Sequence, residues 1–231
     1  MKRYLYIKKR KTHSPIFQII ALTCLFFGLG LLSWLAWPFL EWRLIYAPRF
    51  DNFEIIRPLP VSKAPDSKPL VSSKNLRYAN NWFTDVPLHE ATNSGEAYTL
   101  SIPKLKIKNA KVLIGGLDLD KSLIHYGGTA LPGEYGTAVV FGHSVLPQFF
   151  DPESYKTIFS TIHTLKENDE ISVNRDGVEY RYKIFGQEII NPDEFSTLQQ
   201  RGDDSYLYLV TCTPPGTYWK RLIIKARLKK L

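Results

Sequence analysis

Cysteine is nearly absent from this chain: 231 residues hold two, Cys24 and Cys212. That excludes a disulfide scaffold. No His-Glu-x-x-His motif and no Cys/His cluster at ligand spacing occurs, so the sequence calls for no metal and no cofactor. Walker and Gly-x-Gly-x-x-Gly patterns are missing too, and the pairs Gly115-Gly116 and Gly127-Gly128 read as turns rather than phosphate cradles. Acid is missing from both ends. Residues 1–13 carry six Lys/Arg and no Asp/Glu, and residues 220–231 repeat that count. The stretch between them holds 18 basic and 22 acidic residues. The formal charge of +8 is therefore terminal, with no basic face behind it, and a nucleic-acid partner is excluded.

Charge of either sign is absent from residues 14–40. The 25 residues 16–40 are dominated by Ile, Leu, Phe, Ala and Trp. As a helix they span roughly 37 Å, enough for a hydrocarbon core with some tilt. Trp34, Trp37 and Trp42 cluster at the far end, where indoles favour the membrane interface. The basic residues before the span predict a cytoplasmic N-terminus and an extracytoplasmic remainder. A cleaved signal peptide would have a shorter apolar region ending in a small-x-small site, which Ser33-Trp34-Leu35-Ala36-Trp37 does not supply. The expected layout is a basic tail (1–13), an uncleaved transmembrane anchor (14–42), a Pro-rich stalk or prelude (43–95) and a catalytic domain (96–231). Cys24 falls inside the anchor and reads as a small apolar filler.

In the prelude, Pro48, Pro58, Pro60, Pro65, Pro69 and Pro87 break regular structure. Phe50, Phe53, Trp82 and Phe83 stand out as aromatics able to dock on the domain, and a short helix is expected over 70–83. From residue 96 the pattern turns to short apolar runs between turns. Strands are predicted over 98–102, 111–114, 137–141, 206–212 and 221–228. Residues 170–174 and 179–185 flank Asp176-Gly177 and read as a hairpin. Helical pieces are expected over 121–126, 153–165 and 192–200. In the second, Tyr155, Ile158, Phe159 and Ile162 recur at spacings of three and four, with Asp151 as cap. Closely spaced strands with brief helices favour a mainly β domain, a closed barrel or a sandwich.

Cys212 is the only thiol outside the anchor, and an exported protein rarely keeps a free thiol without a use. The run Tyr206-Leu207-Tyr208-Leu209-Val210 delivers it to a strand end. Thr213-Pro214-Pro215-Gly216 then forms a loop that cannot extend the strand. A thiolate attacks carbonyl carbon well once a neighbour activates it. His143, after the strand Val139-Val140-Phe141-Gly142, has the ordinary pKa for general acid–base work. His125 competes for that role. Arg221 opens the last strand, and its guanidinium fork would stabilise an oxyanion or clamp a carbonyl. Its neighbour Lys220 points to the other face of the strand.

These residues resemble the sortases, membrane-anchored cysteine transpeptidases of bacteria, over roughly residues 98–228. Ser101-Ile102-Pro103-Lys104-Leu105 is similar to that family's opening strand. Gly127-Gly128-Thr129-Ala130-Leu131-Pro132-Gly133-Glu134 resembles its Gly-Ser-Ala-Leu-Pro-Gly-Glu segment. Phe141-Gly142-His143, Leu209-Val210-Thr211-Cys212 and Lys220-Arg221-Leu222-Ile223 resemble its His-, Cys- and Arg-bearing strands. The resemblance implies a closed β-barrel of about eight strands with its site in an edge groove. It implies Cys212 as nucleophile, His143 as general acid and base, and Arg221 as oxyanion and substrate support. His125 and Thr211 are secondary substrate-binding candidates. The implied partners are C-terminal sorting-signal peptides of the Leu-Pro-x-Thr-Gly type and an amine acceptor of the cell envelope.

The pilin-polymerising class often carries an Asp-Pro-aromatic lid and a hydrophobic tail. Trp82-Phe83-Thr84-Asp85-Val86-Pro87 lacks the first, and the chain ends at Leu231. The expectation is therefore a housekeeping or class D/E-like anchoring enzyme. Two rival readings fit the sequence less well. An L,D-transpeptidase places His, Gly, Cys and Arg almost adjacent, whereas Cys212 and Arg221 are nine positions apart. A non-catalytic binding module on the same barrel would bury an unreactive thiol.

Overall fold

The structure is a computed structural model that describes residues 15–50, 77–82, 95–194, 198 and 200–230. The chain divides into two compact units, Met1–Glu41 and Trp42–Leu231. The first contributes α1 (Pro15–Glu41), 27 residues without a buried side chain, long and apolar enough to cross a membrane.

The second unit begins with a π-helical turn (Trp42–Tyr46) and α2 (Ala47–Phe50). Trp42 and Tyr46 set their rings edge-on to the buried His163, with centroids 5.3 and 4.6 Å away. Eight strands follow: β1 (Ala97–Ile102), β2 (Ile107–Ile114), β3 (Leu123–His125), β4 (Gly136–Phe141), β5 (Glu170–Arg175), β6 (Val178–Ile190), β7 (Ser205–Thr213) and β8 (Lys220–Leu228). They close a barrel in the order β1-β2-β3-β4-β7-β8-β6-β5. This is the eight-strand barrel that the resemblance implies. The β5–β6 hairpin turns on Asp176 (φ 54°) and Gly177 (φ 80°), both left-handed as a two-residue turn requires.

Strand alternation builds two cores. Ala138, Val140, Leu207, Leu209, Leu222 and Ile224 point into the barrel. Val139, Phe141, Tyr208, Val210, Cys212 and Ile223 point out of it, into a second apolar cluster completed by Trp82, Leu119 and Ile124. β4 and β7 run parallel, and every residue in both is buried. That is why they read as unbroken apolar runs rather than alternating ones. Each fully buried Leu, Ile or Phe contributes roughly 1.5–3 kcal/mol.

Two expected helices are something else. Residues 123–125 form β3, pinned in parallel to β2 and antiparallel to β4. A three-residue strand takes its stability from these two neighbours, a contribution no local pattern announces. Residues 153–165 are turns ending in a single 3-10 turn, Ile162–Thr164. Here the helical ladder loses to side chains and tertiary bonds. Phe159 N–H donates to His143 O at 3.0 Å, and Val145 N–H donates to Ser160 Oγ at 2.9 Å. Thr157 Oγ1 donates to Asp151 O at 3.0 Å. Asp151 caps only a turn, accepting from Glu153 N–H at 2.9 Å. The apolar spacing is used all the same, since Ile158, Phe159 and Ile162 pack on the inner core. In the stretch expected as a helix over 70–83, the described part is a 3-10 turn, Ala79–Asn81. At the start of the helix expected over 192–200, residues 192–193 form a turn, and 195–197 and 199 lie outside the described residues.

Candidate active site

The antiparallel register of β7 and β8 sets Cys212 directly opposite Arg221. β4 lies on the other side of β7, and its last residue, Phe141, pairs with Val210. The chain continues alongside β7: Gly142 N–H donates to Val210 O at 3.2 Å, and Ser144 Oγ donates to Cys212 O at 2.8 Å. His143, between these two anchors, is carried beside Cys212. Gly142 is required there, because a Cβ would collide with the Phe159 ring and come within 2.7 Å of Leu123 Cδ2.

Of the secondary candidates, neither joins this cluster. Thr211 follows the strand's alternation onto the opposite face from Cys212. Its hydroxyl donates to Gly142 O at 2.8 Å and ties β7 to the segment bearing His143. His125 is 1% exposed. Its Nδ1 lies 2.9 Å from the Tyr98 hydroxyl and its Nε2 3.0 Å from Thr129 Oγ1. Burial pushes it down to about 4, so it is a neutral core residue at pH 7.

Cys212 is 7% exposed. Burial raises its pKa, and the Arg221 charge opposes that rise. Burial lowers His143, while the carboxylates of Asp120 and Asp118 pull it back up; Arg77 and Lys156 push it further down. In the resting molecule these opposed displacements favour neutral thiol beside neutral imidazole. Among the described residues, no group of three or more His, Cys, Asp or Glu is arranged to hold a metal.

Comparison with known proteins assigns the domain to a family. The sortase domain matches residues 100–229. The chain belongs to the sortase family. It is 29% identical over 132 residues to Sortase D of Bacillus subtilis (strain 168), covering 54% of this chain and 60% of that protein. With Sortase A of Bacillus anthracis it shares 27% over 130 residues, covering 56% and 55% of the two chains. The match thus spans less than two thirds of either relative. Among solved structures, sortase C-1 from Actinomyces oris superposes with TM-score 0.52 at 25% identity, over 62% of this chain and 79% of that one. Sortase A from Corynebacterium diphtheriae gives TM-score 0.51 at 26% identity, over 60% and 63%.

One part of this sortase's candidate site is not legible as such in the sequence. Residues 77–82 form a strap across it. Arg77 grips Asp118 with Nε and Nη2, at 2.9 and 2.7 Å, and reaches Asp120 at 3.3 Å. Backbone bonds from Ala79 N–H to Leu117 O and from Leu119 N–H to Arg77 O, both 3.1 Å, zip the strap to the β2–β3 connection. At its far end Trp82 is fully buried. Its ring lies 5.9 Å from that of His143, and the Arg221 guanidinium carbon sits 5.4 Å from its centroid. The sequence flags Trp82 as a docking aromatic but not its place. The available signal was the basic Arg77 set against the acidic run Asp118-Leu119-Asp120. Phe83, flagged with it, lies outside the described residues.

Proposed function

We propose that this sortase is a cysteine transpeptidase that cleaves a Leu-Pro-x-Thr-Gly-type sorting signal and passes the new carboxyl end to an amine of the cell envelope. The observation that carries the reading is the Cys212–Arg221 register pair with His143 delivered beside it.

The Cys212 thiolate attacks the Thr carbonyl carbon. Arg221 donates to the oxygen as it becomes an oxyanion. The Thr–Gly C–N bond breaks, His143 gives its proton to the leaving amine, and a thioester remains on Cys212. The acceptor amine attacks that thioester, His143 takes its proton, and the thiolate departs. Because the thiolate–imidazolium pair is the minor state at rest, only a fraction of molecules is poised at any moment. The strap has to leave before a peptide enters, since the Trp82 carbonyl occupies the Arg221 donors a substrate needs.

On this reading α1 is an uncleaved anchor with the barrel outside the cytoplasm. The chain serves housekeeping or class D/E-like anchoring. His125 and Thr211 then support the site without touching peptide.

The test is intact-mass spectrometry of the full chain in detergent with Leu-Pro-x-Thr-Gly peptides and a glycine or diamino acceptor. A peptide-acyl adduct on Cys212 that transfers to the amine is expected. Unchanged peptide cleavage by Cys212→Ala would remove the nucleophile assignment.

A further inference from the structure

The two carboxylate oxygens of Asp120 face different partners. Oδ1 lies 3.5 Å from His143 Nε2, and Oδ2 lies 3.3 Å from Arg77 Nε. The backbone holds the carboxylate in that position, with Asp120 N–H donating to Asp118 Oδ1 at 3.1 Å. Asp118 itself is engaged by the bidentate grip of Arg77 and by Lys121 at 3.5 Å. Asp120 is therefore the acid in direct reach of the imidazole.

We infer that Asp120 is a positioning residue for His143, holding the imidazolium by Nε2 so that Nδ1 serves Cys212, and that Arg77 of the strap competes for the same carboxylate. The inference rests on the Cys–His reading above. Nε2 bound to a carboxylate fixes the ring's orientation and its protonated edge. An imidazole buried beside a buried thiol needs such a counter-charge, because both ionised groups are otherwise disfavoured. While the strap is docked, Arg77 draws charge from Asp120 and opposes the imidazolium. When the strap leaves, Arg77 leaves with it and the carboxylate is given over to His143. Opening the groove and charging the histidine thus become one event.

The charged groups around His143 come from several elements. Asp118 and Asp120 lie on the β2–β3 connection, Arg77 on the strap and Lys156 in the turns after β4. Cys212 and Arg221 lie across the β7–β8 pair. Arg77 touches both Asp118 and Asp120 and moves the histidine in the direction opposite to each, but Asp120 is the one that also lies within 3.5 Å of the imidazole.

The experiment measures two pH profiles on the full chain in detergent: Cys212 alkylation by iodoacetamide and peptide turnover. With His143 pushed down and Cys212 pushed up, the acid limb follows His143 and the plateau follows the thiolate–imidazolium fraction. Asp120→Asn should lower the plateau roughly three- to tenfold and move the acid limb to lower pH by about half a unit to one unit. Arg77→Ala should move the limb to higher pH. Its looser strap also raises the plateau, so limb position is the decisive reading. Asp120→Glu should restore part of both. If Asp120→Asn lowers the plateau with the limb unmoved, or both variants move the limb the same way, the carboxylate is only structural and the inference fails. His143→Gln separates the two levels. A Cys212 profile indifferent to that variant overturns the Cys–His pairing itself, and the inference with it. A profile that responds to His143→Gln but not to Asp120→Asn overturns the role of Asp120 alone.

Discussion

The carbonyl oxygen of Trp82 accepts hydrogen bonds from both Nε and Nη2 of Arg221, at 3.2 and 2.9 Å. The third guanidinium nitrogen, Nη1, donates to the carbonyls of Tyr218 and Lys220, each at 3.1 Å. A backbone carbonyl is the group that a bound peptide would present, so the strap meets Arg221 with the chemistry of a substrate. The indole then fills the space between Arg221 and His143.

Trp82→Ala removes that filling but leaves a carbonyl at position 82. Deleting a buried Trp costs roughly 3–5 kcal/mol in a core. Here the loss falls on the closed state of the strap, so the open population should rise by at least about tenfold. Alkylation of Cys212 and peptide turnover should both accelerate accordingly. An alkylation rate equal to that of the parent chain would mean that Trp82 does not cover the thiol.

Arg221 is 2% exposed, and its guanidinium keeps its charge although burial pulls its pKa down. Arg221→Ala should lower turnover by about a hundred- to a thousandfold, the range for losing an oxyanion donor. Arg221→Lys keeps the charge but not the fork that spans a carbonyl with two parallel donors, so it should fall between the two. Full activity in Arg221→Lys would show that charge alone suffices. Thermal unfolding of each variant separates this loss from the loss of the Trp82 contact.

Local pattern reached the strand ends because each is short-range. Residues 206–212 read as an apolar strand, Thr213-Pro214-Pro215-Gly216 stops it, and Asp176-Gly177 carries its turn chemistry in two letters. What escaped is held by distant partners. Arg221 meets Trp82 across 139 positions, and Arg77 meets Asp118 across 41. No window along the chain contains both ends of either contact. The 153–165 stretch misled for the opposite reason. Its apolar spacing is helical and does pack, but the Thr157 side chain and the His143 carbonyl take bonds a helix would have used.

His125 and His163 make stability depend on pH. Burial holds each at about 4, against an ordinary 6.5. Both are buried as neutral rings, so the unfolded chain binds protons first as pH falls. Their contribution is complete above about 6.5, is lost progressively between 6.5 and 4, and is constant below that. Each histidine should account for about 3 kcal/mol across this window. Urea unfolding of the parent at several pH values measures the slope. His163→Phe, which keeps a ring against Trp42 and Tyr46, should flatten it by the share of His163, with His125 and the depressed His143 supplying the rest. An unchanged slope would show that His163 is not buried in its neutral form.

Gly142→Ala tests whether the close approach before His143 is needed. The added methyl meets the Phe159 ring and Leu123 Cδ2, both packed inside the barrel. Overpacking of this kind costs roughly 1–3 kcal/mol. Phe159 N–H also holds the His143 carbonyl, at 3.0 Å, so a displaced Phe159 drags the histidine's backbone with it. Turnover should therefore fall further than the lost stability explains, when measured well below the unfolding midpoint. Gly186→Ala is the control, because nothing lies within 4 Å of a Cβ built there, on the β6 bulge. If Gly142→Ala and Gly186→Ala behave alike, the 142 position does not set the placement of His143. If only Gly142→Ala loses turnover, the route from Leu123 through Phe159 to His143 is what aligns the imidazole with Cys212.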